Sequence, residues 1–274
     1  MFGAERTERE VAESLLAFWA DGGVDAMLLD APVDRIDAGR ILPPARPAGL
    51  VATAPSRPRS APPTADITTA LAQARSLAAE ANDLETLDAA IAGFEGCALR
   101  REGAATQAVV RRGRADAPLM VIGEAPGADE DAQGQPFVGR AGKLLDKMLA
   151  AAGLSEQVLI TNTVFWRPPG NRTPSAAEQA VCAPFLERII TLTRPHALLL
   201  VGGAAAKALL KEDQGILALR GRWFAWRGAD GRLETPALPT LHPAFLLRQP
   251  AAKKQVWSDL LSLTERLDRP DTPL

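Results

Sequence analysis

Between Pro118 and Gly142 the chain passes from a short apolar run into a loop of unusual composition and then into a helical segment. That order constrains the fold more than any other stretch. Pro118 to Ile122 reads as a buried strand. Residues 123–142, GEAPGADEDAQGQPFVGRAG, then bring five glycines, two prolines, an acidic cluster and one phenylalanine. A packed core has no use for such a loop. A loop that carries backbone up to a flat ligand does, because only glycine permits so close an approach.

The rest of the C-terminal two-thirds repeats the strand-to-helix order. Strands are expected at Leu119–Ile122, Val158–Asn162, Ala197–Val201 and Leu238–Leu241. Helices are expected at about Gly139–Ala152, Ser175–Leu192, Ala204–Leu210 and Ala251–Leu267. Ser175 and Glu178 fit a capping box, and Gly153 fits a helix stop. Short apolar strands alternating with helices predict an α/β fold with a parallel sheet covered on both faces. In such sheets ligands bind at the carboxyl ends of the strands. GEAPG, Asn162, Gly202-Gly203 and His242-Pro243 all follow strands and so meet at that edge.

The 274 residues allow one sizeable core and an extension. Residues 5–30 read as a helix, residues 42–64 as a proline-rich linker, and residues 65–93 as one or two alanine-rich helices. This divides the chain into a helical extension (1–41), a linker (42–64), a helical lead-in (65–93) and a main domain (94–268). Net charge is −2, yet its distribution is uneven: residues 1–93 carry 14 acids and 8 bases, and the remainder 19 acids and 23 bases. Local potential rather than total charge attracts phosphate. The first residues are charged, no apolar run would span a bilayer, and two cysteines make no disulfide framework. A cytoplasmic, bacterial-style protein with free thiols and no membrane partner is expected.

Each unusual residue also has an ordinary reading. GEAPG lacks the spacing of a phosphate loop and, taken alone, is as readily a tight turn. Phe137, between a proline and a glycine-bearing turn, is placed to stack on a ligand face. A strand-end amide such as Asn162 offers a donor and an acceptor in one plane, but a lone Asn is usually a loop cap. His242 stands at the crowded edge, whereas His196 stands at a strand start on the opposite one. The segment from Arg167 to Pro174, RPPGNRTP, is a stiff basic loop that is either a solvated turn or a phosphate grip, with Arg248, Lys253 and Lys254 nearby.

Three segments together resemble the family 4 uracil-DNA glycosylases, the iron–sulfur class: GEAPGADEDAQGQPFVGRAGKLLDKML, NTVFWRPPGNRTPSAAEQAVCAPFL and LHPAFLLR. The resemblance runs from about Phe94 to Leu263. It implies a three-layer αβα sandwich around a four-stranded parallel sheet, and hydrolysis of the glycosidic bond of uracil flipped out of DNA in base-excision repair. It implies that His242 and Glu124 act in catalysis, His242 on the departing base and Glu124 on water. Uracil would be held by Phe137 (stacking), Asn162 (edge reading), Gly127 and Glu130, with Glu130 crowding the C5 side against a thymine methyl. Leu246 would be the wedge that fills the emptied stack, with Phe245 as the alternative. Arg140, Arg167, Arg172 and Arg248 would contact DNA. The family's 4Fe–4S cluster takes four cysteines, and the matching positions here are Phe94, Cys97, Trp166 and Cys182. No metal or cofactor is therefore expected, and Phe94 and Trp166 should fill the vacated volume. A monomer is expected, with the acidic front as a surface for a repair partner. Two other outcomes stay open: a uracil- or damage-binding protein without turnover, and a glycosylase for another deaminated base.

Overall fold

The computed structural model describes residues 64–102 and 104–269. The expected helix at 5–30, the linker up to residue 63 and the acidic front before it lie outside the described residues.

The described chain runs through α1 (Thr64–Glu80), α2 (Leu84–Gly93), α3 (Ala98–Arg101), β1 (Arg111–Gly113), β2 (Leu119–Gly123), α4 (Ala128–Gln133), α5 (Arg140–Ala151) and β3 (Val158–Asn162). It continues through α6 (Ala176–Thr193), β4 (Ala197–Val201), α7 (Gly203–Leu210), α8 (Ile216–Leu219), β5 (Phe224–Arg227), β6 (Glu234–Thr240), α9 (Pro243–Arg248) and α10 (Lys253–Asp268). The six strands form one sheet in the order β1-β3-β2-β4-β6-β5. The inner four, β3-β2-β4-β6, are mutually parallel. Three of them follow the expected apolar runs closely, while β6 begins four residues before the expected Leu238 and stops short of Leu241. The two edge strands, β1 and β5, run antiparallel to their neighbours and extend the expected four-stranded sheet to six.

Strand alternation divides the core into two layers. Met120, Ile122, Leu198 and Leu200 face a cluster containing Ala70 and Ala74 of α1, Leu87 and Ile91 of α2, and Phe185 and Ile189 of α6. Leu119, Val121, Leu199 and Val201 face Leu145 and Leu149 of α5, Leu246 of α9, and Val256 and Leu260 of α10. Helices thus cover both faces, as a parallel sheet of continuous apolar strands requires. The lead-in helices share this core, so position 93/94 is not a boundary in space. Ala70, Ala74 and Ala78 are each buried and one turn apart, which lets α1 approach α6 closely. Arg188 of α6 locks the contact by donating Nε and Nη2 to the Ala81 carbonyl at 2.9 and 2.7 Å.

The caps follow the sequence. Ser175 accepts from the Glu178 amide, and Glu178 Oε2 accepts from the Ser175 amide at 2.7 Å. Gly153, after α5, has a φ of 73°, the left-handed conformation in which glycine ends helices.

Candidate active site

The loops after β2, β3 and β6 enclose a cavity of about 670 Å³. Glu124, Gly127, Glu130 and Phe137 come to it from the loop after β2, Arg172 from the basic loop, and His242, Phe245 and Arg248 from the turn after β6 and from α9. The GEAPG loop and His242 thus meet at this cavity, whereas Asn162 is buried behind it and Gly202 and Gly203 stand off its wall.

Phe137 is shaped by its backbone. Its φ is 57°, a left-handed conformation that non-glycine residues rarely adopt. Gly123 lets the ring lie down: a Cβ there would stand 2.4 Å from Phe137 Cζ and 2.5 Å from Asn162 Oδ1. Gly142 does the same for α5, since its Cβ would stand 1.7 Å from the Phe137 carbonyl oxygen. The Phe137 ring lies 5.8 Å from the His242 ring at a 31° tilt.

Asn162 ends β3 behind this ring, 1% exposed. Both Nδ2 and Oδ1 are buried without a hydrogen-bond partner. An orphaned buried amide costs stability, of the order of 1–3 kcal/mol, and native proteins keep few of them. Its neighbour Thr163 fixes the Glu124 loop instead: its amide donates to Gly123 O at 2.9 Å and its Oγ1 to Glu124 O at 2.7 Å.

His242 caps α9, with Nδ1 accepting from the Ala244 amide at 3.1 Å. That bond leaves the proton of the neutral ring on Nε2. Burial, with Arg248 adding to it against the opposing pull of Glu130, lowers the pKa from 6.5 to about 4. The strand end beneath is held firmly. Gly202 N–H donates to Thr240 O, Thr240 Oγ1 donates to Asp259 Oδ2 at 2.7 Å, and Arg220 pairs with the same carboxylate.

Five expected residues change role in detail. Leu246 is 0% exposed, in the core beneath α9 with Leu145 and Leu260, and so is no wedge. The half-buried Phe245 stands at the cavity instead. The Glu130 carboxylate accepts from the amides of Gly127 at 3.0 Å, Val138 at 3.0 Å and Gly139 at 2.9 Å. It lines the cavity, but its acceptor capacity is spent on pinning the loop. Arg172 is tied to Glu178 at 2.6 Å and Glu102 at 3.1 Å, and the hydrogen bond to Glu178 raises its pKa. Its charge holds the basic loop to α6 more than it faces outward. Arg167 and Arg140 lie off the cavity wall. Arg167 donates to Asn171 Oδ1 at 2.8 Å, and Arg140 is exposed at the first turn of α5. Arg248 is exposed at the cavity rim.

The four positions matching the family's cluster ligands lie together in the core under α6. Cys97 and Cys182 are buried with their sulfurs 4.0 Å apart. Phe94 and Trp166 are 1% and 2% exposed, their ring centroids 6.4 Å apart, and Phe94 also meets Phe185 edge-on at 5.1 Å. A 4Fe–4S cluster needs four thiolate-type donors. Two thiols beside two large arenes do not supply them, and the arenes occupy the space. Among the described residues, no group of three or more His, Cys, Asp or Glu is placed to hold a metal ion, and no helix is long and apolar enough to cross a membrane.

Comparison with known proteins gives these residues a context. The family profile of the uracil DNA glycosylase superfamily matches residues 110–261. The type-4 uracil-DNA glycosylase of Saccharolobus solfataricus is 39% identical over 166 residues, covering 58% of this chain and 76% of that protein. That of Pyrobaculum aerophilum is 36% identical over 183 residues, covering 65% and 91%. That of Thermotoga maritima is 39% identical over 145 residues, covering 52% and 73%.

Proposed function

Because this chain belongs to the uracil-DNA glycosylase superfamily, we propose that its cavity takes a uracil flipped out of DNA and hydrolyses the bond joining it to deoxyribose. The observation that carries this reading is the buried, unpartnered Asn162 amide behind the Phe137 ring. Uracil N3–H and O4 present a donor and an acceptor in one plane, which is what a free amide needs. Cytosine presents an acceptor and a donor in the opposite order and would leave the amide mismatched, a strong basis for rejection.

Phe137 is the stacking face, a contact worth roughly 1–3 kcal/mol per base. His242 is neutral and donates from Nε2 towards O2. As the C1′–N1 bond breaks, the electron pair leaves with the base, and a preorganised donor in a dry site stabilises the charge that develops. Glu124 holds and polarises the water whose oxygen bonds to C1′. The proton this water gives up as its oxygen bonds to C1′ neutralises the departing uracil anion, so the products are free uracil and an abasic sugar. Phe245, rather than Leu246, fills the gap in the stack, while Arg248 and the loop from Arg167 to Arg172 lie along the phosphates. The enzyme acts as a monomer.

A labelled single strand carrying one uracil tests the proposal. After incubation with the protein and hot alkali it is expected to break at uracil and not at cytosine or thymine in the same context. A folded protein that retains uracil-containing strands in a gel shift but leaves them intact would instead be a binding protein. The two missing cluster ligands give that second reading its support.

The cluster itself is absent from this reading. The donor set supports an iron-free protein in which Phe94, Trp166 and Phe185 fill the cluster volume, and chemistry at His242 and Asn162 does not run through it. Protein purified without oxygen and incubated with iron and sulfide is expected to remain colourless near 400 nm and to cut uracil strands undiminished by chelators. Stoichiometric iron in the purified protein would overturn this.

A further inference from the structure

The short edge strand β1 has no evident reason to exist as a sheet element: it is three residues long and two of them are arginines. One of those arginines reaches the back of the cavity loop. Arg112 Nε donates to Pro136 O at 2.7 Å, and its Nη2 to Phe137 O at 3.2 Å and to Asp146 Oδ1 at 2.6 Å. A single guanidinium thus holds two consecutive carbonyls on either side of the Phe137 φ angle of 57° and ties them to α5. In the ladder, Arg112 stands opposite Ile160, two residues before Asn162.

We infer that Arg112 is the positioning residue for uracil recognition: β1 braces the Phe137 ring against the strand that carries Asn162, and so sets the spacing between stacking face and edge-reading amide. The chemistry fits the task. A planar fork reaches several acceptors at fixed angles, where an ammonium is a single point. A left-handed Phe is strained and persists only where its surroundings over-determine it. Gly142 admits the carbonyl, Gly123 admits the ring, and Arg112 holds the carbonyls on either side of the Phe137 φ angle. The inference rests on Phe137 being the ring that receives the base.

The test uses Arg112→Met, which keeps bulk and removes every donor, and Arg112→Lys, which keeps charge but not the fork. Arg112→Met is expected to raise KM for the uracil strand, and the inhibition constant of free uracil, by about tenfold, the size of one lost charge-assisted hydrogen bond. Its kcat should stay within about twofold, because His242 is untouched. Arg112→Lys should recover part of the loss. The backbone chemical shifts of Phe137 provide a readout independent of turnover, and in Arg112→Met they should move out of the left-handed range. Wild-type KM and unchanged Phe137 shifts in Arg112→Met would overturn the inference. So would a loss confined to kcat. A wild-type protein that neither cleaves uracil strands nor binds free uracil would instead overturn the functional reading, and the Phe137 shifts would still decide whether Arg112 holds the ring.

Discussion

His242→Ala is expected to lower kcat on a uracil-containing single strand by about 10²–10³-fold with little change in KM, the effect of removing one preorganised donor from a developing anion. The ring is built to act as a neutral donor. Its Nδ1 is committed to the Ala244 amide, so the mobile proton sits on Nε2. Protonating Nδ1 would place two N–H groups against each other, break the cap of α9 and charge a buried ring. Burial first, and then Arg248, lowers its pKa to about 4. Two pH effects follow. Wild-type kcat should hold level on the acid side well below pH 6.5 and fall only as pH approaches about 4. Stability should have the same sign: the unfolded chain takes the proton near pH 6.5 and the folded one not until about 4, so stability is lost as pH drops between these values. His242→Ala should flatten that part of the stability curve. A kcat that declines through pH 6.5 would place the active proton on another group.

The parts of this molecule that the sequence exposes are those with many residues pulling one way. The central strands Leu119 to Gly123 and Ala197 to Val201 are apolar runs buried on both faces. A run of that kind at the start of a glycine-rich loop announces both the sheet and the edge where the site lies. The two outer strands carry no such signal. Arg111–Gly113 is too short for any period, and Phe224–Arg227 is largely exposed. Arg112 on β1 carries no signal of its own, because its role depends on bonds to the backbone of residues 24 and 25 positions away. Leu246 shows a different limit. The family resemblance casts it as the wedge, but a helix of six residues has an inner face, and Leu246 lies on it. Glu130 and Arg172 were visible as charges near the site, yet a sequence does not show which charges are already satisfied. Three amides and two carboxylates satisfy these two. Asn162 is the converse: the strand end located it, and only the packing reveals that it has been left unsatisfied.

That unsatisfied amide makes the second large prediction unusual, because activity and stability should move in opposite directions. Asn162→Leu keeps the volume and removes two orphaned polar atoms from a site 1% exposed. Excision of uracil is expected to fall by about 10³-fold or more, since both edge contacts disappear and a buried base would face an apolar wall with its own polar atoms unpaired. The folded protein without DNA should meanwhile gain stability. A buried amide without partners costs about 1–3 kcal/mol, and for a body of this size each kcal/mol shifts the midpoint by about 2–4 °C. Thermal unfolding should therefore rise by several degrees in the variant that has lost its chemistry. Asn162→Asp separates the two causes. It retains size and polarity but places a carboxylate where no donor waits, so it should lose both uracil excision and stability. If Asn162→Leu instead melts lower than the wild type while Asn162→Asp does not, the amide is bonded in the free protein. It would then be a structural cap at the end of β3, and uracil would be read by another group in the cavity.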